Sequence, residues 1–290
     1  MRFLFILSIF SSLLFSFNFY ISDATISNGT TSLIEFKKED SYKYEKITLG
    51  KKSFKVYNHP INKEMMYALL PISYYKKPSN EMVEVHYTDK GSLKSKFISV
   101  KIKKGDYKKE KIQVTKSKVN PDKKHNKRIS EEYHEAMKVY GTSTNKSYLS
   151  SEFILPLDSF ITSDFGKARV YNDTLNGYHS GTDFRAKVGT QLRASNDGVV
   201  VLVKDRFYSG GTVVIDHGHG IYTCYFHMSK FNVKKSQKIK KGEVIGLSGQ
   251  SGRVSGPHLH FAVRVGGVQV DPLQFLTLMN KNLLNKEDTQ

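Results

Sequence analysis

Two histidines separated by one residue stand where the sequence predicts a loop that enters a β-strand. Gly256 and Pro257 form a turn signal, and the apolar or β-compatible residues that follow favour a strand. Residues two apart in a strand point to the same face, so we expect His258 and His260 to project together. Two imidazoles are costly to bury without a partner, and imidazole is a common metal ligand. A pair of satisfied structural histidines is the alternative for this motif taken alone.

A second histidine motif adds a carboxylate. His179 and Asp183 are four residues apart, and the Gly-Thr pair between them argues against a helix, so we predict a turn that runs into a short strand. A catalytic zinc ion takes three protein ligands from residues of these types and leaves one position for water. His179, Asp183 and one of His258 and His260 make up that number.

A third motif, Tyr225-Phe226-His227-Met228-Ser229, follows the apolar run Thr212 to Ile215. Taken without the other motifs, His227 would be interpreted as a surface or core histidine. Three histidine motifs in one half of a chain are an improbable coincidence, so together they predict a metal-dependent active site.

Residues of about 151 to 276 resemble the lysostaphin/LytM-type zinc peptidases, which cut the peptide part of bacterial peptidoglycan. The resemblance rests on short motifs that occur in the family's order. They are Ile161-Thr-Ser-Asp-Phe-Gly166, His179-x-x-x-Asp183, Ala194-Ser-Asn-Asp-Gly-Val-Val200, Asp216-His-Gly218, Tyr225-x-His227, Lys241-Gly-Glu-Val-Ile-Gly246, Gly249-x-Ser-Gly-Arg253, Gly256-Pro-His-Leu-His-Phe261 and Val270-Asp-Pro-Leu273.

Carried over position by position, the resemblance implies one zinc ion per chain, held by His179, Asp183 and His260. His227 and His258 then become the catalytic pair. One of them would help to deprotonate the zinc-bound water, and the other would stabilise the oxyanion or protonate the leaving amine. The sequence does not assign these two roles. No His-Glu-x-x-His motif is present, which favours histidine over glutamate as the base.

The chain is expected to be mainly β. Short β-prone runs separated by turns predict a small antiparallel β-sandwich over residues 23–115. Residues 116–150 are expected to form a basic linker with an amphipathic helix from Ile129 to Tyr140. The peptidase domain, 151–276, is expected to be an antiparallel β-sheet with a groove whose floor is the His260 strand, followed by a tail at 277–290. Cys224 is the only cysteine, so an intramolecular disulfide is excluded.

The first 22 residues predict export. Arg2 precedes an apolar run from Phe3 to Phe17 that is interrupted by serines and short for a membrane span. We therefore expect a signal peptide and a location in the periplasm or cell envelope. The cleavage site is poor, so retention as an uncleaved inner-membrane anchor is the alternative.

Charge is the unusual feature of the composition, with a formal net charge of +18. The segment from Lys101 to Arg128 carries twelve Lys or Arg against three acidic residues. Such a segment is usually a solvated face or linker, and it also attracts polyanions. No nucleic-acid motif is visible and an exported chain meets little nucleic acid, so an anionic wall or membrane surface is the expected partner.

These observations predict a zinc metalloendopeptidase that hydrolyses peptide bonds in peptidoglycan stems or cross-links, and we favour a D,D-endopeptidase in cell-wall remodelling. Two alternatives belong to other classes. One is a non-catalytic LytM-type activator of a separate amidase, although the full set of expected zinc ligands argues against it. The other is a wall-binding scaffold that acts through the basic N-terminal half.

Overall fold

The structure is a computed structural model, and it describes residues 19–112, 122–171 and 174–285. The prediction of a mainly β chain is confirmed. The N-terminal strands are β1 (Phe19–Ile21), β2 (Thr25–Ser27), β3 (Thr31–Lys37), β4 (Tyr42–Leu49), β5 (Lys52–Lys55), β6 (Tyr57–Asn58), β7 (Met65–Pro71), β8 (Ser79–Asp89), β9 (Ser92–Lys103) and β10 (Lys109–Ile112).

The C-terminal half contributes the remaining strands and a short helix. The strands are β11 (Ile161–Ser163), β12 (Ala168–Tyr171), β13 (Thr174–Tyr178), β14 (Thr182–Arg185), β15 (Gln191–Arg193), β16 (Gly198–Arg206), β17 (Gly210–Asp216), β18 (Ile221–Phe231), β19 (Lys238–Ile239), β20 (Val244–Ser248), β21 (His258–Val265) and β22 (Val268–Val270). Helix α1 (Lys123–Tyr140) precedes them, and helix α2 (Pro272–Leu278) follows them and continues as a π-helical turn, Met279–Leu283.

Two sheets form the expected N-terminal sandwich. One has the strand order β1-β3-β7-β6 and the other the order β2-β9-β8-β4-β5. Buried side chains from both sheets, such as Ile34 of β3 and Val85 of β8, belong to one hydrophobic cluster. Most of the strand pairs are antiparallel, but β2 pairs with β9 in parallel. The turn residues in the sequence do not predict this short parallel pairing.

A ten-stranded sheet carries the C-terminal half, with β11-β14-β21-β18-β17-β16-β19 as its main path. Its central strands are buried on both faces, which explains their nearly continuous apolar sequences. Tyr225 and Phe261 face the main core. On the opposite face, Cys224 and Ala262 form a second cluster with residues of helix α1. Burial raises the pKa of the Cys224 thiol to about 11, in keeping with its role as a small buried residue.

Helix α1 begins six residues before the predicted start at Ile129. Its first turns are polar and exposed, so they lack the apolar periodicity on which the prediction depended. Ala136 and Tyr140 are buried against the sheet, as the apolar stripe predicts. Glu132 is also buried, and its carboxylate accepts hydrogen bonds from Arg128 Nε and the Phe207 backbone amide.

The C-terminal residues depart from the expected tail, because position 277 lies inside helix α2. The Asp271 side chain caps this helix by accepting hydrogen bonds from two backbone amides, and Pro272 occupies its first position. An aspartate cap followed by proline at the first helical position is a helix start that can be recognised in the sequence. Leu278 and Met279 are buried, so the segment packs onto the body of the protein.

Tyrosines join the N-terminal sandwich to the C-terminal sheet. The Tyr67 hydroxyl lies 2.7 Å from His219 Nδ1, and the Tyr57 ring stacks on the same imidazole. Tyr74 stacks on Tyr178 with a centroid separation of 3.8 Å. Strand β10 also pairs with β12 in parallel, so the sandwich contacts the hairpin that leads into His179.

The expected signal at 1–22 lies outside the described residues as far as position 18, and Phe19–Ile21 already pair with β3. Residues 113–121 of the expected linker also lie outside them. Within the described ranges, no helix combines the length and apolar character needed to cross a membrane.

His217 belongs to a buried polar network beneath the sheet. Its Nδ1 donates to the Asp197 carbonyl oxygen at 2.7 Å, and its Nε2 lies 2.8 Å from the Thr223 hydroxyl. Burial lowers the pKa of His217 from 6.5 to about 4. The folded protein therefore resists protonation at this position, whereas the unfolded chain accepts a proton below its ordinary pKa.

Stability should consequently fall as the pH drops from 6.5 toward 4. Between about pH 7.5 and about pH 5, His217 should account for roughly 2 kcal/mol of the lost free energy of unfolding. Urea unfolding at both pH values tests this expectation. His217→Gln should lose less stability over the interval than the wild type, while the exposed-site control His134→Gln should match the wild type. Equal losses in His217→Gln and wild type would contradict the assignment.

Candidate active site

Three side chains of metal-ligand type converge at one point of the large sheet. Asp183 on β14 lies directly opposite His260 on β21 in the strand pairing. Asp183 Oδ1 is 2.8 Å from His260 Nδ1 and 2.9 Å from His179 Nε2, and the two nitrogens are 3.0 Å apart. All three residues are buried. These are the three residues that the resemblance implies as zinc ligands.

The hydrogen bond on the far side of the His179 ring shows which nitrogen is free. Nδ1 lies 2.8 Å from the Asp164 carbonyl oxygen, and because a carbonyl only accepts, Nδ1 carries the proton. The Nε2 lone pair therefore faces the Asp183 carboxylate. Two electron-rich atoms at 2.9 Å repel each other unless a proton or a metal ion lies between them. Two imidazoles and one carboxylate suit zinc, so the donor set fits that ion.

Gly181 allows the loop to approach the His260 strand closely. A side chain at this position would collide with the Phe261 carbonyl oxygen and with the His260 ring. The glycine thus does more than oppose a helix. It lets His179, on the loop, and Asp183, on the strand, reach the same point.

The two expected catalytic histidines lie beside this group. The rings of His227 and His258 are 4.8 Å apart between centroids, and His258 Nε2 is 3.7 Å from Asp183 Oδ1. His227 Nδ1 donates to the Ser251 carbonyl oxygen, and His258 Nδ1 donates to that of Gly256, both at 2.9 Å. Each ring therefore has its Nε2 lone pair available to accept a proton.

A β-bulge aims His227 at the site. In regular alternation His227 would share the core-facing side of β18 with Tyr225. The register between β17 and β18 shifts between Gly211 and Val213, so β18 has an extra residue where His227 lies. His227 adopts a φ of 63°, which is unusual for a residue other than glycine. This strained backbone turns the imidazole toward His260, 6.0 Å away between centroids.

Burial and charge set the protonation states that metal binding requires. Burial opposes ionisation of Asp183, but contacts with His179 and His260 outweigh it and hold the pKa of the carboxyl below its ordinary value. Burial and the neighbouring His260 and His258 lower the pKa of His227 to about 3, and burial lowers the pKa of His260. The site therefore combines the Asp183 carboxylate with neutral His227 and His260 imidazoles.

Two residues at the site carry no recognisable signal in the sequence. Arg169 on β12 places Nη2 3.6 Å from Asp183 Oδ2, whereas the histidines contact Oδ1. Phe226 stacks on the His260 ring with an interplanar angle of 18°. A lone arginine and a strand phenylalanine are common residues, so only the folded arrangement shows that they contact the site.

The remaining residues that lie close to these motifs in the sequence occupy other parts of the fold. His217 is in the network beneath the sheet, and His219 contacts the N-terminal tyrosines. Neither is part of the metal-ligand group found among the described residues. Tyr225 is fully buried and donates to Ser195 Oγ.

The sequence of this region matches a known family. Residues 177–272, which contain all five site residues, match the model of Peptidase family M23. The match is to this segment of the chain and not to its whole length. The resemblance to the lysostaphin/LytM-type peptidases is thereby confirmed.

Two curated proteins match part of this chain. Peptidoglycan DD-endopeptidase ShyA of Vibrio cholerae is 43% identical over 138 residues, which are 47% of this chain and 32% of ShyA. DD-carboxypeptidase/endopeptidase Mpg of Neisseria meningitidis is 41% identical over 95 residues, which are 33% of this chain and 22% of Mpg. The chain thus spans about a third or less of the length of these relatives.

A solved structure resembles nearly the whole fold. A Pseudomonas aeruginosa protein assigned to the M23 peptidases superposes with a TM-score of 0.66 at 26% sequence identity. The match covers 86% of this chain and 94% of that one. The similarity therefore extends beyond the peptidase segment to the N-terminal sandwich.

The zinc content of point variants should distinguish the metal ligands from the catalytic pair, His227 and His258. We expect His260→Ala to lose bound zinc, because the substitution removes one of three converging donors from the group. His227→Ala should retain zinc and lose turnover. Elemental analysis of purified folded proteins gives the stoichiometry, with His134→Ala as an exposed-histidine control. Zinc retained at one per chain in His260→Ala, or full activity in His227→Ala, would contradict these roles.

Proposed function

We propose that the protein is a zinc-dependent endopeptidase that hydrolyses peptide bonds in peptidoglycan. The observation that carries the proposal is the convergence of His179, Asp183 and His260, with two further imidazoles beside them, inside an M23 peptidase segment. These three residues would hold the zinc ion, and His227 and His258 would perform the proton transfers.

A zinc ion held there would lower the pKa of a bound water and polarise the scissile carbonyl. The chain's own residues supply the acid–base chemistry. His227 and His258 each present an unprotonated Nε2, since their Nδ1 protons are held by backbone carbonyls. One Nε2 accepts a proton from the attacking water, and that proton is then delivered to the leaving amine. The fixed Nδ1 hydrogen bonds hold both rings in position for these transfers.

The substrate follows from the named relatives. ShyA is described as a peptidoglycan DD-endopeptidase, and Mpg as a DD-carboxypeptidase/endopeptidase. By analogy we assign this chain to D,D-cross-link cleavage during cell-wall remodelling. The activator alternative is disfavoured because every expected metal ligand is present in the group.

The same proposal includes a location. Arg2 and the apolar run after it would direct the chain to the periplasm or cell envelope, where its substrate is found. The basic segment Lys101 to Arg128 would add attraction to anionic wall or membrane surfaces. Raising the salt concentration should weaken that attraction, since exposed charges are screened.

Digestion of purified sacculi tests the activity. Protein loaded with zinc should release peptides by opening cross-links, and mass spectrometry of the products identifies the bond. Chelator-treated protein should release none until zinc is restored, because the water loses its activating ion.

His227→Ala loaded with zinc provides the matched control, since it should keep the fold and the metal without catalysing the reaction. Zinc-loaded wild-type protein that releases no products, but stimulates a separate amidase on the same sacculi, would replace this proposal with the activator function.

A further inference from the structure

A cleft of about 390 Å³ lies between helix α1 and the outer face of the large sheet. One wall is the apolar side of the helix, including Ile129, Tyr133 and Met137. The other wall is the sheet, with Phe226 and two arginines, Arg206 and Arg264. A cavity of this volume is in the range of small-ligand sites.

The cleft adjoins the candidate active site. Phe226 lines it and stacks on the His260 ring, with centroids 5.4 Å apart. Ser180, which follows His179 in the chain, and Ser209, whose carbonyl oxygen accepts from the His227 amide, also line it. Residues next to or in contact with three of the five site residues therefore form the near end of the cleft.

The two arginines differ in what they already bind. Arg264 donates to the Gly267 carbonyl oxygen and to Gln269, and its guanidinium lies over the Tyr140 ring. Arg206 donates from Nη2 to the Glu132 carbonyl oxygen at 2.6 Å. Among the described residues, its buried Nε has no hydrogen-bond partner. The contact with Glu132 uses one N–H of the Arg206 guanidinium, and Arg206 also lines the cleft.

The nearby acid does not cancel this positive charge. Glu132 lines the cleft, but its carboxylate oxygens are taken by Arg128 Nε at 2.7 Å and by the Phe207 amide at 2.9 Å. The two arginines therefore leave the cleft electropositive between apolar walls. Such a cleft suits a ligand that pairs a carboxylate with an aliphatic segment.

We propose that this cleft is a substrate subsite that binds a carboxylate-bearing residue of the peptide stem, with Arg206 as its ionic partner. The proposal rests on the proposed function, because the subsite would orient a peptide whose scissile bond lies at the five site residues. Helix α1 then forms one wall of the substrate site in addition to packing on the sheet.

Matched substrates test the assignment. Cross-linked stem peptides with free side-chain carboxylates are compared with the same peptides carrying carboxamides. Wild-type protein should show a higher kcat/KM for the free carboxylates, by about tenfold, as expected for one charge-assisted hydrogen bond. Arg206→Gln should bring the ratio of the two values close to one. Arg193→Gln should keep the wild-type ratio, since Arg193 also donates to a backbone carbonyl but does not line the cleft.

A second variant guards against misfolding, because Arg206 also anchors the backbone of helix α1. Met137→Glu leaves that anchor in place and sets a like charge against the bound carboxylate, so it too should lower the ratio. Equal cleavage of both substrates by the wild type would overturn the subsite, as would a wild-type ratio retained in both Arg206→Gln and Met137→Glu.

Calorimetric binding of the two uncross-linked peptides distinguishes this subsite from the chemistry. Preferential binding of the free-carboxylate peptide without cleavage of any cross-linked peptide would support the subsite and refute the proposed endopeptidase. Cleavage without a binding preference would refute the subsite and support the endopeptidase.

Discussion

The pairing of β14 with β21 is the constraint on which the site depends. It sets Asp183 opposite His260 in a buried part of the sheet, and the loop before β14 adds the His179 lone pair. The His179 lone pair and the Asp183 carboxylate, 2.9 Å apart, are unfavourable neighbours without a proton or a metal ion between them. The fold offsets this cost with packed strands and with hydrogen bonds that fix the rings from behind. Cation binding and this local geometry are therefore mutually dependent.

The remaining features of the site orient groups around that point. A bulge turns His227 away from the core, and backbone carbonyls hold the Nδ1 protons of His227 and His258. The N-terminal sandwich contacts the segment that leads to His179 through Tyr74. Elements distant in sequence thus limit where the histidines can lie, which is how a rigid scaffold preorganises acid–base groups.

Much of this arrangement was predictable from local sequence. The His-x-His spacing on a strand and the Gly-Thr pair before Asp183 predict which side chains project together, and the short β-prone runs predict the fold class. The bulge at His227 was not predictable, because it depends on the register between strands. Arg169 and Arg206 were missed because isolated arginines have no periodic or motif signal. Helix α2 was missed although Asp271 and Pro272 form its start.

Anomalous diffraction at the zinc edge, on crystals of the zinc-loaded protein, tests whether His179, Asp183 and His260 hold the ion. One strong peak should lie within coordination distance of His179 Nε2, Asp183 Oδ1 and His260 Nδ1, with His227 and His258 outside the ligand set. A peak coordinated by His227 or His258 in place of one of those three, or no peak at this point of the sheet, would contradict the account.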